Sequence, residues 1–312
     1  MSDLLAQFTM LVEALMRALV TTPDTKSGLR LREAPDPVAA PDQVIVEVRN
    51  SSLNHGDVGF SATEAPGKVM GWDAAGVVVQ AAADGTGPAI GVNVLTFGSD
   101  GAWAEKRAVS VQELAVVPDG VDLAVASALP IAGVTALRAL RRSGELTGKR
   151  VLITGASGGV GRYAIQLAAL EGAEVVALAR RGGGLAELGA HEVVADLDDV
   201  KPVDIVLENI GGPTLVRAWE LVRTGGVLQS IGWTSMQPAV FQPYATVAPA
   251  KSLVSFDAGN GYGPDLAYLL KLVADGKLTV DIGWRGSWTR FDEAAAALFD
   301  RQVTGKAVLD ID

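Results

Sequence analysis

The chain has 312 residues, 49% of them apolar, and a formal charge of −10. It can therefore bury two domain cores, and its acidic balance argues against nucleic acid or an anionic membrane as the main partner while leaving room for one local basic pocket. It has no cysteine and only two histidines, His55 and His191, which excludes disulfides, thiolate nucleophiles and zinc held by the usual His and Cys ligands.

Residues 4–15 place Leu4, Leu5, Phe8, Leu11, Val12 and Leu15 at helical spacing, so residues 1–15 are read as an appended amphipathic helix. Met16-Arg17-Ala18-Leu19-Val20 reads as the opening strand of a first domain. Up to about residue 120 the runs Val44–Val48, Gly76–Val79 and Val92–Leu95 predict short strands, bounded by Pro and Gly clusters at 35–41 and 84–91. Leu123 to Arg142 reads as helical. Beyond it, strand signals at Arg150–Thr154, Glu174–Leu178, Val193–Val194, Asp204–Leu207 and Gly226–Ile231 alternate with helical ones at 160–171 and 185–188. That alternation predicts an α/β fold with a parallel, doubly wound sheet. Helices over 264–275 and 292–300 and a strand at Lys306–Leu309 close the chain. The division expected is a β-rich domain over 16–122, completed by 262–312, and a dinucleotide-type domain over 123–261. No apolar run reaches the ~20 residues of a membrane helix, and the N-terminus lacks the basic start of a signal peptide, so a cytoplasmic protein is expected.

Thr154-Gly155-Ala156-Ser157-Gly158-Gly159-Val160-Gly161 follows a strand and opens a helix. In that context Ala156, Ser157, Gly158, Gly159, Val160 and Gly161 let the backbone approach a pyrophosphate, which then sits on free N–H groups at the helix start. The next strand ends Ala179-Arg180-Arg181, without the acid that binds the ribose 2′-hydroxyl in NAD sites. Guanidinium groups suit a 2′-phosphate instead, so NADPH is the expected cofactor, through Arg180 and Arg181. Short-chain dehydrogenases share the glycine string. Their motif stands near the N-terminus and needs a Tyr with a Lys four residues on, a pair that none of the four tyrosines here provides.

Five segments together resemble the medium-chain dehydrogenase/reductase superfamily, and within it the zinc-independent quinone oxidoreductases of the zeta-crystallin type. They are Ser52-Leu53-Asn54-His55-Gly56-Asp57, Gly71-Trp72-Asp73-Ala74-Ala75-Gly76, Ala128–Ala136, the glycine loop, and Gly305-Lys306-Ala307-Val308-Leu309. The resemblance implies a GroES-like β-rich catalytic domain and a Rossmann domain, paired as a homodimer by sheet extension. At the positions matching the catalytic zinc ligands of alcohol dehydrogenases stand Asn54, Trp72 and Ala132, so no metal is expected. The implied reaction is hydride transfer from NADPH to a quinone or an activated C=C bond. An enoyl-thioester reductase and a low-turnover NADPH-binding protein are the alternatives.

The resemblance puts Asn54 beside the nicotinamide, where its amide would donate to the acceptor oxygen, and Thr135 within reach of the cofactor. Asn209, Gly232, Trp233 and Phe256 follow successive sheet strands, where this fold binds ligands. Trp72, Phe241 and Tyr262, with Trp233 and Tyr244, are the aromatic candidates for a pocket wall. Tyr244 and Tyr262 are also candidate proton donors, with bulk water as the alternative. His55 reads as a proton relay or a structural residue, Asp57 as a turn or cap residue and His191 as a surface residue. Lys68, Lys106, Arg107 and Lys251 are the basic candidates for a cleft rim.

Overall fold

The computed structural model describes residues 14–25, 27–247 and 250–312. Of the helix expected over 1–15, residues 1–13 lie outside them, and the expectation fails at Leu15, which belongs to a strand. That strand, β1 (Leu15–Thr21), pairs antiparallel with β2 (Leu29–Pro35). The ribbon buries Met16, Ala18 and Val20 against Ala34 and Ala104.

A seven-stranded sheet forms the first domain. Its strands are β3 (Gln43–Leu53), β4 (Asp73–Gln80), β5 (Asn93–Phe97), β6 (Lys106–Ser110) and β7 (Leu114–Val116), with helix α1 (His55–Ser61) after β3. Two helices follow, α2 (Leu123–Ser127) and α3 (Pro130–Arg142). The single helix expected from 123 to 142 is broken in two because Pro130 lacks the N–H that would continue the first segment.

The second sheet contains β8 (Arg150–Thr154), β9 (Glu174–Leu178), β10 (Glu192–Val194), β11 (Val203–Glu208), β12 (Val222–Ser230) and β13 (Ser252–Ser255), with α4 (Gly159–Leu170) after β8 and α5 (Gly212–Leu221) after β11. All its pairings are parallel, in the order β10-β9-β8-β11-β12-β13. The chain direction of the order reverses between β8 and β11, the switch point at which open α/β sheets bind ligands. Residues 185–188 form turns rather than a helix, since three glycines precede them and the run is shorter than a stable helix. Helix α5 and strand β13 were not foreseen. α5 places Leu215, Ala218 and Trp219 at helical spacing on its buried face but starts on the turn-like pair Gly212-Pro213, and every residue of β13 is exposed, so that strand shows no apolar period.

Helix α6 (Gly263–Ala274) leads back to the first sheet. That sheet gains β14 (Ile282–Ser287) and, after α7 (Phe291–Phe299), β15 (Lys306–Asp310) between β14 and β3. The closing strand thus brings Lys306 beside Leu53, the end of β3. Among the described residues no helix is long and apolar enough to cross a membrane.

Candidate active site

The glycine loop is an open cradle. Gly158 caps α4 with an extended backbone, and among the described residues no side chain satisfies the first helical amides, which therefore face the loop as free donors. Gly161 sits so near the loop that a Cβ would come within 2.6 Å of the Ala156 Cα. Behind the cradle, Ala156 N–H donates to the Leu178 carbonyl at 3.1 Å. The Ser157 carbonyl accepts from Gly305 N–H at 3.0 Å, which ties the loop to the first domain. At the end of β9, Arg180 and Arg181 are exposed, and among the described residues neither has a carboxylate within 4 Å.

Across the switch point Asn209 is held by the same strand end. Its side-chain amide donates to the Thr154 carbonyl at 2.9 Å, and its backbone N–H to Thr154 Oγ1 at 2.8 Å. A residue the sequence reading overlooked, Glu208, organises this corner. Fully buried, it accepts from Thr154 Oγ1 at 2.9 Å, Ile210 N–H at 3.0 Å and Gly211 N–H at 2.8 Å. Burial pushes its carboxyl above the usual range. Gly211 needs its left-handed backbone (φ +75°), because the Trp233 ring lies over it, 2.6 Å from where a Cβ would stand. Gly232 packs on the Asn209 carbonyl, and Thr234 Oγ1 donates to that same carbonyl at 3.2 Å. Phe256 lies below the Arg142 guanidinium at 4.9 Å.

The first domain presents the Asn54 turn. Asn54 caps α1, and its backbone N–H donates to Asp57 Oδ1 at 2.8 Å. Its side-chain amide is fully committed. Nδ2 donates to Asp73 Oδ2 at 2.9 Å and Asp57 Oδ2 at 3.2 Å, while Oδ1 accepts from Lys306 Nζ. Lys306 Nζ also donates to the Leu53 carbonyl at 3.1 Å and pairs with Asp73 Oδ2 at 3.4 Å. Asp73 further accepts from Ser52 Oγ at 3.0 Å and Ile131 N–H at 3.1 Å. Asp57, Asp73 and Lys306 are all buried. Burial first, and then the Asp73 charge, push the Asp57 carboxyl up to about 7. The amide of Asn54 thus points inward, with no N–H left to donate to an acceptor oxygen; this corrects the expectation placed on it. The sequence did carry a signal for the network: Lys306 opens an apolar closing strand, and a buried ammonium requires an acid.

Lys306 also joins the two halves. Its stem lies on the glycine loop, with Cδ 2.8 Å from where a Cβ on Gly159 would be. Thr135 is nearly buried in α3, and its hydroxyl makes no hydrogen bond to a described residue.

The expected aromatic wall is not assembled. Trp72 lies over Gly56 and meets Phe60 at 6.3 Å between ring centroids. Phe241, by contrast, packs edge-on against Trp219 of α5, on the far side of the second sheet. Tyr262 is buried in the core, stacked on Phe97 at 3.8 Å with Arg138 on its other face. Tyr244 is 82% exposed, in a turn with φ +67°. The basic rim candidates are also committed elsewhere. Lys68 pairs with Glu64 and Lys106 with Asp36, Arg107 is buried against the Trp72 carbonyl, and Lys251 caps the end of α5. His191 is exposed, and its Nδ1 accepts from Val175 N–H at 3.2 Å.

Comparison with known proteins agrees with this architecture. Residues 40–119 match the alcohol dehydrogenase GroES-like domain, and residues 188–309 a zinc-binding dehydrogenase domain. The chain is 30% identical to a chloroplast envelope quinone oxidoreductase homolog of Arabidopsis thaliana, over 91% of this chain and 94% of that one. It is 25% identical to an acryloyl-coenzyme A reductase of Sulfurisphaera tokodaii, over 94% and 99%. It also matches a low-reducing polyketide synthase of Aspergillus calidoustus at 31% identity, spanning only 10% of that much longer protein. Among solved structures, a quinone oxidoreductase from Coxiella burnetii superposes with a TM-score of 0.85 at 26% identity, over 96% of this chain and all of that one.

Proposed function

The chain belongs to the medium-chain dehydrogenase/reductase family, in its quinone oxidoreductase branch, and on that premise we propose that it is an NADPH-dependent reductase of quinones or activated C=C bonds that works without zinc. The observation that carries the cofactor choice is the open end of β9. An uncapped helix start with a close-packed Gly161 suits a pyrophosphate, and two arginines without carboxylate partners stand where a 2′-phosphate would lie. Residues 156–161 hold the pyrophosphate, Arg180 and Arg181 the 2′-phosphate, and Asn209, Gly232, Trp233, Phe256 and Thr135 the nicotinamide end. The nicotinamide, when bound, supplies the hydride.

The protein's own contribution is placement and exclusion of water. The Thr135 hydroxyl orients the reacting pair, and Trp72 with Phe60, their rings tilted 45° to one another, offers an apolar face to the acceptor. The fully committed Asn54 amide holds the turn rather than the substrate. Among the described residues of the turn, Asn54, Asp57 and Lys306 are committed internally, which favours solvent for that step, with the exposed His55 as the side-chain alternative. Zinc independence rests on the residues at the ligand positions: Trp72 and Ala132 carry no donor a metal would accept, and Asn54 is already bonded on both sides.

An enoyl thioester is the second acceptor class, favoured by the similarity to acryloyl-coenzyme A reductases. Assembly as a homodimer is supported by β13, an edge strand with Leu253 and Val254 exposed. The deciding experiment follows NADPH oxidation by absorbance with a panel of quinones, enones and enoyl thioesters. Oxidation with at least one class is expected. Tight NADPH binding without turnover on any of them would leave a binding protein instead.

A further inference from the structure

Helix α7 ends in a tight reversal. Arg301 N–H donates to the Leu298 carbonyl at 3.1 Å and Gln302 N–H to the Ala297 carbonyl at 2.8 Å. This bond pair puts the residue after the cap in the left-handed region, where glycine sits without strain. Here it is Arg301, at φ +58°. The strained backbone directs a guanidinium across the mouth of the cleft, where it donates to the Thr234 carbonyl of the second domain at 3.2 Å. That is its one hydrogen bond to a described residue. Arg17, Arg49, Arg285 and Arg290 of the first domain each pair with a carboxylate, whereas Arg301, like Arg30 on β2 and the buried Arg107, has none within 4 Å among the described residues; of these three it is Arg301 that bonds to the second domain.

Its neighbours mark the place as the cleft mouth. The His55 ring packs edge-on against Phe299 at 5.9 Å. Crowding by the protein, and then the charges of Lys306 and Arg301, hold that imidazole below its usual pKa. Arg301 therefore stands between the Asn54–His55 turn of one domain and the 232–234 turn of the other. On a chain of net charge −10, an unneutralised cation there offsets the repulsion of an incoming anion.

We propose that Arg301 is a specificity-determining residue that binds a phosphate on the arm of an acyl thioester leaving the cleft, so that the preferred acceptor is an enoyl thioester of coenzyme A. This rests on the reductase reading above and narrows its acceptor. On binding, the guanidinium exchanges one neutral carbonyl for a phosphate, which it can engage with two parallel N–H bonds.

The test uses the NADPH-loaded protein and two matched probes. Crotonoyl-coenzyme A carries the phosphorylated arm, and crotonoyl-N-acetylcysteamine keeps the thioester without phosphates. The expected kcat/KM is about tenfold higher for the first. Arg301→Gln should erase that difference while leaving the truncated thioester and a neutral quinone unchanged, and Arg301→Lys should restore part of it. Calorimetric titration with coenzyme A alone gives a readout free of turnover, and Arg301→Gln should weaken binding by a similar factor. Equal losses on both probes would make Arg301 a latch on Thr234 only and overturn the proposal. Coenzyme A binding that ignores the substitution would overturn it as well. If coenzyme A binds through Arg301 yet no acceptor is reduced, the anion site stands and the reductase reading falls.

Discussion

The Asn54 turn and the end of β9 lie on opposite sides of one cleft and spend their polar groups in opposite ways. Around Asn54 every donor and acceptor is answered within the protein: Lys306 by Leu53, Asn54 and Asp73, and Asn54 by two carboxylates. At β9 the arginines and the first amides of α4 have no side-chain partner among the described residues. Buried polar groups must be paired internally, because desolvation without a partner costs several kcal/mol, about 2–7 by transfer estimates. Groups that wait for a ligand stay open. Residue type does not separate the two cases, since both regions hold charged side chains at motif positions. Partnership separates them, and Arg301 falls on the open side.

The strongest way to break the contrast is to remove Lys306. Lys306→Met leaves the Asp73 carboxylate buried without its cation, and the expected loss is about 3–5 kcal/mol of unfolding free energy, read from urea denaturation. Unchanged stability would show that the turn does not depend on internal pairing. A second test uses pH. The Asp57 carboxyl is raised to about 7 in the folded protein, against about 3.9 in an unfolded chain. Between those values the folded state holds a proton that the unfolded state has released. Its contribution is complete below about pH 4 and lost as pH rises through 7, amounting to about 4 kcal/mol at most. Asp57→Asn should flatten the fall in stability between pH 4 and 7. A slope that survives the substitution would assign it to another group.

The open region is tested by cofactor affinity. Arg180→Ala combined with Arg181→Ala should weaken NADPH by about 2 kcal/mol, the scale of a lost charge-assisted bond, and leave NADH nearly unchanged. Calorimetry with both cofactors decides it, and equal losses would remove the 2′-phosphate role.

The open region was also the more legible one. Strand, glycine loop and helix are neighbours in sequence, so their period and spacing announce them, and Arg180 and Arg181 follow directly from the next strand. The Asn54 network joins residues 54, 57, 73 and 306, and no local pattern says that the closing strand will lie beside β3. Asn54 was found as a position, but the direction of its amide was set by Lys306, 252 residues away. Phe241 and Tyr262 were named for their chemistry alone, and packing decided where they went: one onto Trp219, the other onto Phe97. Arg301 escaped notice because its left-handed backbone comes from the end of α7, which sequence periods locate only to within a few residues.

The smallest expected effect is none, and it bears on the closed region. Preincubation with a chelator should leave NADPH-dependent turnover unchanged. In a zinc dehydrogenase the cation at this turn would be the metal, held by the residues at positions 54, 72 and 132. Here Trp72 packs over Gly56, and Ala132 is buried in the core. The two carboxylates that remain, Asp57 and Asp73, already face the Asn54 amide, and Asp73 faces the Lys306 ammonium. Lys306 thus supplies the positive charge that the acids of this turn require, from a strand that also touches the glycine loop. A chelator-sensitive rate, restored by added zinc, would mean that the acids can release Lys306 for a metal, and the self-satisfied turn would then be a resting arrangement rather than the working one.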